Sequence, residues 1–293
     1  MKLYELGEDA VVQGLTRRLK LDDRVILGPG DDCAVVKTPG NLQLLKSDCL
    51  IEGVHFAPNA DPVWIGWKAM CRSISDIASM GGIPLDALVT VAIRPDAEFE
   101  WLRKLYRGLR KAASVFRVNL VGGETARSPG PVFLSVALTG RVERDKYVSR
   151  SGGRKGDWLF VTGKLGGSIA GRHLRFLPRV KQARWLVRRF PVHAMMDLSD
   201  GLGTDLPRLA MASKVGFEVA VENLPLNNGC SPENAVKDGE DYELLFAVPP
   251  SAKSLLELKW KKVFPRLPLT AIGRLVETGY QHFAQKGFDH FAR

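Results

Sequence analysis

Apolar positions follow two rhythms along the chain, and the change from one to the other predicts most of its elements. Short apolar runs at Val25-Ile-Leu27, Cys33-Ala-Val-Val36 and Leu42-Gln-Leu-Leu45, separated by Gly, Pro and Asp turns, predict three strands with acidic motifs where they end. From Asp61-Pro62, a helix-start signal, the residues Trp64, Trp67, Met70, Cys71, Ile74 and Ile77 keep helical spacing until Gly81-Gly82 stops the run. A strand from Leu85 to Ile93, an amphipathic helix from Ala97 to Phe116 and a strand ending at Gly122-Gly-Glu-Thr125 form a β-α-β unit, and Pro131 to Val142 adds a further strand. The second half restarts with a strand from Trp158 to Thr162 and a glycine-flanked helix near Ser168 to Phe176. Met195-Met-Asp-Leu-Ser-Asp-Gly-Leu202 then ends a short strand and feeds a helix through Ser213. After Leu224-Pro225 a polar loop leads to Gly239-Glu-Asp-Tyr-Glu243 and the strand Leu244 to Val248.

Strands followed by helices in both halves predict two α/β or α+β domains, and 293 residues is long for one core. The turn-rich, basic segment Ser149-Arg-Ser-Gly-Gly-Arg-Lys-Gly156 marks the boundary, dividing 1–148 from 149–293. No apolar run approaches the roughly 20 residues of a membrane span. The first ten residues also lack the apolar core of a signal peptide, so a soluble cytoplasmic protein without a membrane partner is expected.

A net charge of +10 raises nucleic acid as a partner. Residues 141–190 hold 14 Lys and Arg against three Asp and Glu, so the rest of the chain is near neutral. The aromatics there lack the spacing of a nucleic-acid motif, and a solvated helix face is the simpler reading. Cys33, Cys49, Cys71 and Cys230 form no metal or redox pair and read as buried thiols.

The candidate chemistry lies in five acidic motifs: Gly28-Pro-Gly-Asp-Asp32, Ser47-Asp48, Ser75-Asp76, Asp197-Leu-Ser-Asp200 and Gly239-Glu-Asp241. There is no Gly-x4-Gly-Lys-Ser/Thr loop, and Cys33 stands where a dinucleotide fingerprint needs its third glycine. Holding a triphosphate then falls to magnesium ions tied to the protein by carboxylates. Asp31, Asp32, Asp48, Asp76, Glu124, Asp197 and Asp200 are the candidate ligands. Each has a plainer reading alone: Asp76 could pair with Arg72 one turn back, and Asp197 could cap the following helix.

In order, Gly28-Pro-Gly-Asp-Asp-Cys-Ala34, Ser47-Asp48 leading to Glu52-Gly-Val-His-Phe56, Ser75-Asp-Ile-Ala-Ser-Met-Gly81, Gly122-Gly-Glu-Thr125, Met196-Asp-Leu-Ser-Asp-Gly-Leu202, Gly239-Glu-Asp-Tyr-Glu-Leu244 and Lys286-Gly-Phe-Asp-His-Phe291 resemble the thiamine-monophosphate kinase family. The wider superfamily includes aminoimidazole ribonucleotide synthetase. The resemblance implies the two-domain synthetase-like fold, pairing of N-terminal sheets in a homodimer, and ATP bound between the domains. It implies magnesium-dependent transfer of the ATP γ-phosphate to thiamine monophosphate, in line and without a phosphoenzyme. By matched position it implies that Asp32, Ser47, Asp48, Asp76, Glu124, Asp197 and Asp200 bind several magnesium ions. Gly123, Glu124, Arg150 and Ser199 would contact ATP, and His55, Glu240 and Phe288 would shape the thiamine monophosphate pocket. Taken by themselves, His55 reads as a core histidine and Phe288 as an anchor for the C-terminal tail.

Two positions depart from the family pattern. Glu124 stands where Gly-Gly-Asp-Thr has Asp, and Lys46 precedes Ser47-Asp48 where a small hydroxyl residue is usual. One alternative is another ATP-dependent synthetase of the superfamily; the two departures motivate a second, an inactive kinase-like binding protein.

Overall fold

The computed structural model describes residues 2–277, 283 and 286–291. Two short helices, α1 (Leu3–Leu6) and α2 (Glu8–Thr16), precede the strands β1 (Val25–Leu27), β2 (Ala34–Lys37) and β3 (Leu42–Ile51). Next come α3 (Pro62–Ser79), β4 (Ile83–Ile93), α4 (Phe99–Phe116), β5 (Asn119–Arg127), β6 (Phe133–Val142) and β7 (Trp158–Thr162). The chain continues through α5 (Val180–Arg189), β8 (Ala194–Asp197), α6 (Leu202–Ala212), β9 (Gly216–Val219), α7 (Pro232–Lys237), β10 (Leu244–Val248), α8 (Lys253–Val263) and β11 (Leu269–Val276). These fall into two compact units. The first comprises Asp32–Tyr147 and Gly171–Arg188; the second comprises the described residues of Met1–Asp31, Val148–Ala170 and Arg189–Arg293.

In the first unit the sheet order is β2-β3-β6-β4-β5. Only β4 and β5 run parallel, as expected of the β-α-β unit that α4 connects. Asp61 starts α3 by accepting the Val63 N–H at 2.9 Å, and Pro62 occupies the first helical position, where its missing N–H costs nothing. α3 packs along β3, β4 and β6 and is buried over most of its length. It meets α4 glycine to backbone: a Cβ on Gly66 would run into the Leu105 carbonyl, and one on Gly108 into the Val63 carbonyl.

β3 is longer than its apolar pattern predicts. The polar step Lys46-Ser-Asp48 breaks the alternation, yet the ladder with β6 continues unbroken from Leu42 opposite Val142 to Ile51 opposite Phe133. Ser47 and Asp48 therefore sit inside a strand instead of at its end. β5 likewise runs on through Gly122-Gly123 to Arg127, and Gly123 fits because a side chain there would run into the Val89 carbonyl of β4.

The second unit holds an antiparallel sheet of order β8-β10-β7-β11-β9. Leu159, Val161, Met196 and Leu245 of this sheet pack with Leu202, Leu206 and Leu209 of α6 and with Ala235 and Val236 of α7. α7 lies in what the sequence predicts to be loop, started by a reciprocal Ser231–Asn234 capping box. The helix expected over Ser168 to Phe176 is instead two separate 3-10 turns, Ser168–Ala170 and Arg172–Leu174. Gly171 between them has φ of 112°, a conformation that ends helical winding.

Candidate functional site

In the first unit, strand alternation puts Lys46 and Asp48 on one face of β3, and the last turns of α3 bring Asp76 to them. The Lys46 Nζ lies 3.0 Å from Asp76 Oδ1 and 3.5 Å from Asp48 Oδ1. Asp32, just before β2 and 2% exposed, accepts a hydrogen bond from the Ser79 hydroxyl at the end of α3. Asp32 and Asp76 each bring a carboxylate oxygen within 4.8 Å of the other. Burial alone would raise the Asp48 carboxyl, but the charges of Lys46 and then Arg72 outweigh it and hold it down to about 2. Burial opposes the charge on Lys46 as well, and Asp48 and Asp76 reverse this, keeping the ammonium protonated. Cys33 is pushed well above the ordinary thiol range by burial and by the nearby Asp76, so it is an inert core thiol as expected.

Three other expected residues of this unit stand differently. Ser47 is exposed, on the opposite face of β3 from Lys46 and Asp48. Glu124 is exposed on β5, its Oε1 accepting the Thr125 N–H at 2.8 Å. His55 is buried, and its Nδ1 accepts the Ile51 N–H at 3.0 Å, so the neutral ring carries its proton on Nε2. The buried Lys68 ammonium donates to the His55 carbonyl at 2.6 Å and lies 2.7 Å from His173 Nδ1. The apolar spacing of α3 does not reveal this support.

In the second unit Asp197 ends β8, opposite Leu244 of β10, and is 3% exposed. The helix after it is capped by Gly201 and not by Asp197, which removes the capping explanation for that carboxylate. Asp200 is ion-paired to Arg208 of α6, which also reaches Asp9 at 3.0 Å. Beneath them Asp205 accepts the Asp200 N–H at 2.9 Å; burial, then the Asp200 charge, push its carboxyl well above the usual range. The sequence signal for Arg208 and Asp205 is their i, i+3 spacing on a helix, which no motif marks.

Four expected residues of the second unit share one backbone seam. Glu240 donates its N–H to the Ser199 carbonyl at 2.6 Å, Tyr242 to the Leu198 carbonyl at 2.8 Å, and Phe288 to the Asp200 carbonyl at 2.8 Å. Glu240 and Tyr242 both have φ of 52°, a left-handed conformation that costs a non-glycine residue about 1–2 kcal/mol and that the seam enforces. Phe288 is 45% exposed, with its ring edge-on to His290. Arg150 is fixed through its backbone, its N–H on Asp31 Oδ2 at 2.9 Å and its carbonyl accepting the Ser213 hydroxyl at 2.6 Å.

Comparison with known proteins decides the family. Residues 30–142 match the model of the AIR synthase related protein N-terminal domain, and residues 149–282 that of its C-terminal domain. The thiamine-monophosphate kinase of Rhodopirellula baltica is 38% identical, over 91% of this chain and 88% of its own length. That of Aquifex aeolicus is 35% identical, over 99% of this chain and 100% of its own. The solved structure of AaThiL complexed with AMPPCP and TMP has a TM-score of 0.86 at 32% identity, covering 99% of both chains. The chain belongs to the thiamine-monophosphate kinase family. The solved HypE-HypF complex, at 18% identity and a TM-score of 0.73, shares the fold.

Against this family background, part of the basic stretch is structural. Arg184, 8% exposed, donates to the Gly81 carbonyl and to Glu143 Oε1 at 2.7 Å, and Arg188 reaches the same oxygen at 3.2 Å. The Arg184 hydrogen bond, foremost, holds the Glu143 carboxyl down to about 2. A carboxyl lowered on folding stabilises fully above its ordinary value of 4.5 and loses that contribution as pH falls toward about 2. Denaturant melts of Glu143→Gln are therefore expected to show a lower plateau near neutrality and a flatter acid slope across that window. No helix among the described residues is long and apolar enough to cross a membrane.

Proposed function

We propose that this chain transfers the γ-phosphate of ATP to the phosphate of thiamine monophosphate in the cytoplasm, giving thiamine diphosphate and ADP. The observation that carries this reading is the grouping of Asp32, just before β2, with Asp48 of β3 and Asp76 of α3, in a chain whose likeness to AaThiL complexed with AMPPCP and TMP is end to end.

The donor set fits magnesium: carboxylate oxygens are hard ligands, and the neighbouring thiol, Cys33, is held in its non-ligating form. Asp32, Asp48, Asp76, Glu124, Asp197 and Asp200, with the Ser47 hydroxyl, are the residues that would hold the ions. Bound magnesium supplies charge neutralisation at the phosphates and orients the transferred group. The remaining work is positioning, which phosphoryl transfer chiefly needs. Gly123 lets backbone amides approach phosphate without a side chain intervening, Arg150 and Ser199 orient ATP alongside Glu124, and His55, Glu240 and Phe288 set the acceptor. Glu240 accepts a hydrogen bond from the aminopyrimidine, and the Phe288 ring covers the cationic ring system. The acceptor phosphate is itself the nucleophile, so no side chain has to be activated.

The seam gives a test of positioning. A Cβ on Gly287 would run into the Asp200 carbonyl, so Gly287→Ala shifts Phe288 off its hydrogen bond. It is expected to raise KM for thiamine monophosphate about tenfold or more while KM for ATP changes little. We further propose a homodimer, supported by β5, which is exposed along nearly all of its length; sedimentation at twice the chain mass is the expected result.

The function is tested by coupling ADP formation to NADH oxidation. ADP should appear on addition of thiamine monophosphate but not of thiamine, stop with EDTA and resume with excess magnesium. ADP formation indifferent to thiamine monophosphate would remove the reading.

A further inference from the structure

Lys46 is the one basic residue in the motif-bearing stretch of β3, and its place in the group is specific. It shares a strand face with Asp48, two residues on, and its Nζ bridges that carboxylate and the one at the end of α3, at 3.5 and 3.0 Å. The side chain is largely withdrawn from solvent, 21% exposed, as are those of Asp48 and Asp76, 17% and 11%. Two carboxylates in this setting require a nearby positive charge. The ammonium supplies it through a covalent tether and cannot be removed by dilution or chelation.

We propose that Lys46 is a built-in cation: its ammonium takes a cation position between Asp48 and Asp76, and the protein loads one magnesium ion fewer there than it would with a hydroxyl residue at position 46. This rests on the reading of Asp32, Asp48 and Asp76 as magnesium ligands. A divalent ion held by Asp76 Oδ1 and Asp48 Oδ1 would have to share both oxygens with a like-charged group already in contact with them. A hydroxyl side chain at position 46 would do the reverse, adding a neutral oxygen donor in place of the ammonium. The alternative role, in which Lys46 swings away to meet a phosphate and leaves both carboxylates to the metal, predicts no change in the ion count.

The test counts Mn2+ ions bound per full-length chain, from the free-ion electron paramagnetic resonance signal, with AMPPCP present. Wild type, Lys46→Thr and Lys46→Gln are compared after circular dichroism has confirmed folding; the glutamine variant keeps most of the side-chain length if threonine disturbs β3. Each variant is expected to bind one more Mn2+ than wild type. In EDTA each should melt below wild type, and Mn2+ should recover more of the melting temperature in the variants than in wild type. An equal or lower count in both variants overturns the proposal. Thiamine diphosphate formation by the same wild-type preparation separates the two readings: product with equal counts removes only the role of Lys46. Absence of both product and bound Mn2+ removes the magnesium site with it.

Discussion

Asp76→Asn is expected to lower kcat for thiamine diphosphate formation about 10²–10³-fold, the loss typical of removing one preorganised charge-stabilising group. Asp76 is the carboxylate that the others gather around: Lys46 contacts it at 3.0 Å, and it and Asp32 bring oxygens within 4.8 Å. Asparagine keeps the shape and removes the charge, so Asp48 is left to balance Lys46 alone. KM for thiamine monophosphate should change far less, because His55, Glu240 and Phe288 are held by bonds that do not involve Asp76. Steady-state kinetics on a variant that melts near the wild-type temperature checks this; near-normal kcat would remove Asp76 from the metal group.

The second large effect is on stability. Gly108→Ala would gain about 1 kcal/mol if helix propensity alone decided. A Cβ there would instead run into the Val63 carbonyl, which belongs to the start of α3 and cannot rotate aside. Overpacking at such a contact costs about 1–3 kcal/mol, so against that gain the net expectation is a loss of about 1 kcal/mol, and more for Gly108→Val with its branched Cβ. Gly14 of α2 is the control, since a Cβ there meets nothing within 4 Å; Gly14→Ala should be neutral or mildly stabilising. Calorimetry of the three variants separates backbone clash from propensity.

Elements whose apolar pattern was strong were legible from the sequence. α3 and α4 carry sustained helical spacing, and β1, β7 and β10 are unbroken apolar runs matched residue for residue. β3 was cut short because Lys46-Ser-Asp48 places charge where a strand face ordinarily alternates, and charges are tolerated there only because they balance one another. α8 left little signal, since Leu256 and Trp260 are its buried residues and lysines fill much of the rest. The docking of 171–188 in the first unit depends on long-range bonds, such as Trp67 Nε1 to the Phe176 carbonyl, that periodicity does not encode.

For the site, motif order named the carboxylates, whereas their mutual arrangement required coordinates. Lys46 stood out as a departure from pattern, but only the distances show it between Asp48 and Asp76. The left-handed Glu240 and Tyr242 were invisible in the same way, because neither is a residue type that advertises positive φ.

The most direct test of the central claim follows the transferred phosphorus itself. Purified chain would be incubated with ATP, magnesium and thiamine monophosphate, and the products separated by chromatography and read by 31P resonance. Thiamine diphosphate and ADP in equal amounts, absent with thiamine and lost in Asp48→Asn, is the predicted result. Inorganic phosphate in place of thiamine diphosphate would contradict it and point to a synthetase that activates an oxygen for displacement.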